Sequence, residues 1–91
     1  MSKKKSKKNI VKVKIEDIKL DFAQDIRPYQ TPEQQEEIDK KIEQLRTEGQ
    51  REAIELDADY KIKNGHLRFF AAKKLGWKEI DATIEPRAKE W

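Results

Sequence analysis

The apolar residues of this chain switch between two spacings, and the switches fall at prolines and glycines. From Ile10 to Ile15 they alternate, with Val11, Val13 and Ile15 on one side and Lys12 and Lys14 on the other. That period of two belongs to a half-buried strand. Ile18, Leu20 and Phe22 carry the rhythm into a loop ending at Asp25-Ile26-Arg27-Pro28-Tyr29. The spacing then becomes helical. Thr31 can cap a helix, Pro32 suits its first position and Gln34 completes a capping box. Glu33, Glu36 and Glu37 favour the positive end of the helix dipole. Ile38, Ile42 and Leu45 form an apolar stripe, Arg46 follows, and Gly49 is a natural stop.

Strand spacing returns at Ala53, Ile54 and Leu56, turns at Asp57-Ala58-Asp59 and resumes at Tyr60 and Ile62, so residues 51–63 predict a hairpin. Asn64-Gly65 breaks it. Residues 66–75 hold helix formers with an apolar stripe at Leu67, Phe70, Ala71 and Leu75, and Gly76 ends them. Trp77 is expected to pack behind this helix, and Ile80, Ala82 and Ile84 alternate as a last strand ended by Pro86. The order β-α-β-β-α-β predicts an α+β domain, a small mixed β-sheet with two covering helices. A chain of 91 residues holds one such domain, and no internal repeat is visible.

Charge divides the chain unevenly. Residues 1–14 hold seven lysines and no acid, leaving 14 basic side chains against all 18 acids in residues 15–91. The body is therefore mildly acidic, and the excess positive charge belongs to one end. Residues 1–9 read as a flexible basic tail, residues 10–86 as the folded domain and residues 87–91 as a C-terminal tail. Lys3, Lys4, Lys5, Lys7 and Lys8 make the first tail a candidate arm for DNA phosphates, or equally a solubilising leader. The absence of cysteine excludes disulfides, thiolate metal sites and cysteine catalysis. No apolar run approaches the roughly 20 residues that span a bilayer, and no apolar segment follows the lysines as in a secretory signal. A cytoplasmic location is expected.

The chemistry concentrates between Asn64 and Gly76. A strand runs into Gly65, and Gly65 opens a helix whose first turn leaves N–H groups without partners at the positive end of its dipole. Such ends bind anions. Gly65 permits positive φ and a close approach to a ligand, and the planar fork of Arg68 suits phosphate. His66 stands at the mouth of the turn and can donate or shuttle a proton. An ordinary strand-to-helix connection with a solvated arginine would read the same way. Glu52 and His66 are the available acid/base groups. No paired carboxylates or metal-ligand spacing marks a cation cage, so magnesium is expected only with a nucleotide.

Asn64-Gly65-His66-Leu67-Arg68 resembles the signature turn of the ParB N-terminal domain and sulfiredoxin superfamily, a Gly-x-x-Arg turn followed by an alanine-rich helix and a glycine stop. Partition proteins of that family read Gly-Glu-Arg-Arg, and many stand-alone relatives read Asp-Gly-His-x-Arg. Asp17-Ile18 resembles the family's opening and Arg27-Pro28 its early arginine motif. Gly49-Gln50-Arg51-Glu52-Ala53-Ile54 resembles its Gly-Gln-x-x-Pro-Ile segment, with Ala53 in place of proline. The similarity runs through residues 10–86 and implies a ParB/sulfiredoxin-like fold. It also implies a turn that wraps the phosphates of CTP, as in partition proteins, or of ATP or ADP, as in sulfiredoxin and a free-serine kinase. On that resemblance Gly65 and Arg68 hold phosphate, Gln50 lies near the nucleotide, and Arg27 is a weaker counterpart.

This chain also departs from the family. His66 stands where sulfiredoxin has its reactive cysteine and partition proteins have glutamate, so sulfiredoxin chemistry is excluded. Leu67 replaces the first arginine of the partition signature, and the sequence stops where partition proteins continue into a helix-turn-helix domain. The leading expectation is a stand-alone ParB-like domain binding a nucleotide, with weak hydrolysis at most. One alternative is a DNA-binding protein or nuclease that uses the lysine tail. Another is a phage or plasmid regulatory protein that binds a protein partner, for which Trp77 and Trp91 would be surface aromatics.

Overall fold

The computed structural model describes residues 9–86, so the tail lysines Lys3, Lys4, Lys5, Lys7 and Lys8, and Trp91, lie outside the described residues. Four strands and two helices follow the expected order: β1 (Ile10–Lys14), α1 (Pro32–Glu48), β2 (Ile54–Leu56), β3 (Ile62–Asn64), α2 (His66–Lys74) and β4 (Glu79–Ile84). The sheet is mixed, in the order β1-β4-β2-β3. β4 lies between an antiparallel β1 and a parallel β2, and β2 and β3 form the hairpin. Alternation sends Val13, Ile54, Leu56, Ile62, Ile80 and Ala82 into one core with Leu45 of α1 and Phe69, Ala71 and Ala72 of α2. Lys12, Lys14, Glu55 and Lys63 stay on the solvated side.

Helix α1 starts as its sequence dictates. Thr31 Oγ1 accepts the Gln34 N–H at 3.2 Å, and Pro32 occupies the first turn. No bond from the Gln34 side chain completes the box among the described residues. Gln35 Nε2 instead donates to the Tyr29 carbonyl at 2.7 Å, tying α1 to the segment before it. Ile38 and Leu45 are buried and Ile42 is partly so, and Gly49 closes the helix with its N–H on the Leu45 carbonyl.

Three local readings change. Ile15 is buried as expected, but it begins a 3-10 turn at Ile15–Asp17 instead of ending β1. Tyr60 is not a strand residue: it takes φ 68° and closes the turn that Asp57 organises. There Asp57 Oδ1 accepts from the N–H groups of Asp59 and Lys61 at 2.8 and 3.0 Å. The Lys61 N–H first, then that of Asp59, holds the Asp57 carboxyl below its usual range. On α2 the deepest residue is Phe69, with Ala71 and Ala72, while Leu67, Phe70 and Leu75 are only partly buried.

The supposed loop before α1 is also structured. Phe22–Ile26 forms one π-helical turn capped by the Asp21 carboxylate, and Arg27–Tyr29 continues as a 3-10 turn. Phe22 leaves the core and is exposed, whereas Asp25 is the one buried charged residue among those described. Among the described residues no helix is long and apolar enough to cross a membrane.

Candidate functional site

Gly65 is the N-cap of α2, at φ 100° in the left-handed region. A Cβ there would stand 2.7 Å from Cγ2, 2.9 Å from Cβ and 3.1 Å from Cα of Ile54, which is fully buried. The close approach that glycine permits here is thus to the strand beneath the turn. Having no side chain, Gly65 leaves α2 without a side-chain cap. The Phe69 N–H is bound to the Gly65 carbonyl at 2.9 Å, so the N–H groups of His66, Leu67 and Arg68 form the open first turn.

His66 and Arg68 are two residues apart on a helix and therefore diverge. The Arg68 side chain is 19 % exposed and turns toward the segment after α1. There it meets the Glu52 carboxylate at 3.5 Å, and Glu52 is itself 78 % exposed. That pair is long and solvated, which makes it weak. A cleft of about 350 Å³ opens beside it, lined by Lys41, Gln44, Leu45, Gly49, Arg51, Glu52 and Arg68. Three of those seven residues are cationic, so the cleft favours an anion. Glu52, offered by the sequence as an acid/base group, is here the ion-pair partner of Arg68.

His66 faces the other way. Its Nε2 lies 2.7 Å from Asp25 Oδ1, and both side chains are largely buried. The Tyr29 ring stacks on the imidazole at 5.1 Å between centroids, only 13° from parallel. Tyr29 also meets Phe70 at 5.4 Å between centroids, and both line a cavity of about 320 Å³ between α1 and α2. Arg27 projects from the same segment, exposed and with no ion pair among the described residues.

Gln50 is committed to the backbone. Its Nε2 donates to the carbonyls of Glu52 and Asp81, both at 2.9 Å, and its Oε1 accepts the Asp81 N–H at 2.8 Å. Strand β2 begins to pair with β4 only at Ile54–Ala82, and the Gln50 amide serves Asp81 one position earlier. Gln50→Ala is expected to destabilise the fold by about 1–3 kcal/mol by leaving these groups unpaired. Urea denaturation measures this, and a loss under about 0.5 kcal/mol, the usual range of a surface change, would remove the assignment.

The turn, Arg68, Glu52 and Gln50 are thus gathered near the C-terminal end of α1, while His66 joins a cluster with Asp25 and Tyr29. Sequence reasoning missed Asp25, Tyr29, Lys41 and Arg51. The first two lie in a segment with no clear period, and the two cations look like ordinary solvated charges. Size alone does not locate the site. A depression of about 1260 Å³, wider than the two just described, is a groove that includes Lys12, Lys14, Gln50, Phe69 and Trp77 but none of Gly65, His66 or Arg68. Among the described residues no three His, Cys, Asp or Glu side chains converge to hold a metal.

Comparison with known structures places this geometry in a fold. Arabidopsis thaliana sulfiredoxin matches with TM-score 0.72 at 22 % identity, over 87 % of this chain and 86 % of that one. The ParB of Caulobacter crescentus, a C-terminally truncated chromosome-partitioning protein complexed with CTP-gamma-S, matches with TM-score 0.66 at 20 % identity, over 89 % of this chain and 46 % of its own. A Pnob8-like ParB-N domain matches with TM-score 0.61 at 24 % identity, over 89 % of this chain and 30 % of its own. The chain thus spans most of sulfiredoxin but less than half of either partition-type structure. No curated protein matches the sequence. The family described as the ParB N-terminal domain matches residues 1–90, nearly the whole chain, and on that match the chain belongs to the ParB N-terminal domain family.

Proposed function

We propose that this domain binds a nucleotide, CTP or ATP/ADP, with its phosphate chain against the first turn of α2 and the Arg68 guanidinium. One observation carries the reading: an uncapped helix N-terminus stands beside a mostly buried arginine whose one side-chain partner among the described residues is an exposed carboxylate 3.5 Å away. An incoming phosphate would displace Glu52 and gain both the open N–H groups and the guanidinium. Lys41 and Arg51, lining the same cleft, add positive charge. The CTP-gamma-S complex of the Caulobacter protein supports the choice of ligand class. Magnesium would enter on the phosphate oxygens themselves, because no carboxylate cage is present among the described residues. Any hydrolysis would be slow.

Thermal unfolding with CTP, ATP, ADP and GTP, with and without magnesium, tests this. A nucleotide at about 100 times its dissociation constant adds about 2.7 kcal/mol, which raises Tm by roughly 10 °C or more in a domain of this size. Arg68→Ala is expected to weaken binding about 10- to 100-fold through loss of a charge-assisted contact. No shift with any of the four would refute nucleotide binding. A full shift in Arg68→Ala would refute the role of that residue.

A further inference from the structure

We infer that the outer edge of β1 is a docking site for a partner protein, which adds an acidic extended segment there as a fifth strand. The inference is independent of the nucleotide reading, because β1 carries none of Gly65, Arg68 or Glu52.

The hydrogen-bond phase of the sheet fixes which groups face outward. The Ile15 N–H donates to the Lys78 carbonyl at 2.9 Å, and Ile15 and Lys78 continue the register of β1 on β4. In an antiparallel pair, bonded and non-bonded positions alternate. Val11 and Val13 therefore bond inward to Ala82 and Ile80, whereas Ile10, Lys12 and Lys14 turn their N–H and C=O groups away from β4. Asp81, opposite Lys12, confirms the phase: its N–H and carbonyl both go to the Gln50 amide. The outward groups of Ile10, Lys12 and Lys14 have no backbone partner among the described residues. The other edge of the sheet differs. The Lys19 N–H donates to the Tyr60 carbonyl at 2.9 Å and Lys19 bridges to Lys61, so the chain itself covers the edge where β3 begins.

The side chains favour an extended protein segment. Ile10 and Val11 are 62 % and 41 % exposed, two of the three large exposed hydrophobics among the described residues. They point to opposite faces of the strand, so a neighbour lying alongside β1 covers both at once. Charge then selects the neighbour. Residues 1–14 hold seven lysines and no acid. Lys12 is held by Asp81 at 2.7 Å, while the exposed Lys14 has no ion pair among the described residues. Two copies pairing through β1 would bring both sets of lysines together, which is how edge lysines oppose self-association. The same charges attract an acidic strand. The partner segment therefore offers main-chain groups to Ile10, Lys12 and Lys14, an Asp or Glu beside Lys14 and an apolar side chain beside Val11.

A blocked peptide of about six residues, alternating Glu and Val, tests this in proton–nitrogen NMR spectra of the full chain. It is expected to shift the Ile10, Lys12 and Lys14 amides and to slow their exchange about tenfold or more at saturation, with Ile62 and Asn64 unchanged. A Lys–Val peptide of the same length should bind about tenfold more weakly or worse. Lys14 has φ −67°, which proline shares, and its N–H serves no bond in the sheet, so Lys14→Pro keeps the strand and removes a donor. This variant should melt within about 4 °C of wild type and bind the Glu–Val peptide about tenfold more weakly or worse. Lys14→Gln keeps the N–H, should lose about threefold through charge alone, and provides the test if Lys14→Pro fails to fold. Unshifted β1 amides, equal binding of the Lys–Val peptide, or wild-type affinity in either folded variant overturns the proposal. Equal shifts with a single-stranded oligonucleotide would assign the edge to nucleic acid, and a dimer paired through β1 in sedimentation and NMR would assign it to a second copy. Either result overturns the proposal as well.

Discussion

Gly65→Ala is expected to destabilise the protein by about 2–5 kcal/mol. The left-handed conformation costs a residue with a Cβ about 1–2 kcal/mol, and overpacking a fixed core position adds about 1–3 kcal/mol. Here the new methyl would meet Ile54 at three atoms within 3.1 Å, one of them backbone. Trimming Ile54 cannot relieve the whole clash, so Gly65→Ala combined with Ile54→Val should not recover wild-type stability. Domains of this length hold about 5–14 kcal/mol in total, and the variant should therefore melt roughly 10–30 °C lower. Circular dichroism melting measures it. A loss below about 1 kcal/mol would show that the turn can move away from β2, contrary to the close packing described. For the proposed function this means that a Gly65 variant lacking nucleotide binding would report misfolding of the turn, and that Arg68→Ala is the informative probe of the proposed phosphate contact.

The two phenylalanines of α2 should respond unequally. Phe69→Ala is expected to cost about 3–5 kcal/mol, since Phe69 is 1 % exposed and its loss leaves a cavity in the common core. Phe70 is only partly buried. Its ring touches Tyr29 and Phe69, both at 5.4 Å between centroids, and borders the cavity between the helices. Phe70→Ala is expected to cost about 1–2 kcal/mol, mostly from aromatic contacts and partial burial. Urea denaturation of both variants decides the orientation of the helix. Equal losses, or a larger loss at Phe70, would mean that α2 presents another face to the sheet.

That contrast shows where sequence reasoning stops. Helix α1 is 17 residues long, and its stripe could be read only one way. Helix α2 has nine residues, with Phe69, Phe70, Ala71 and Ala72 in succession, so two stripes fit almost equally well. The stripe through Leu67 and Phe70 was the natural choice, yet β2 lies under Gly65 and turns Phe69 inward. Tyr60 misled for a related reason. Its spacing continues that of Ile62, but Asp57 draws the Lys61 N–H into the turn and leaves Tyr60 in a left-handed conformation.

The candidate site divides along the same line. The glycine turn proposed to bind an anion was legible because its geometry depends on local sequence: a strand, a glycine, an uncapped helix start and an arginine three residues on. Local sequence also determined the order of elements, the N-cap at Thr31, the helix end at Gly49 and the two-sided sheet. Each depends on neighbours along the chain or on a period of two or 3.6 residues. Only the tertiary structure decided which partners those residues meet. It placed Ile54 beneath Gly65, gave Gln50 to Asp81, set Glu52 on Arg68 and brought Asp25 across 41 residues to His66. Such pairings follow from how α1, α2 and the 21–30 segment pack together, and no pattern along the chain encodes that packing.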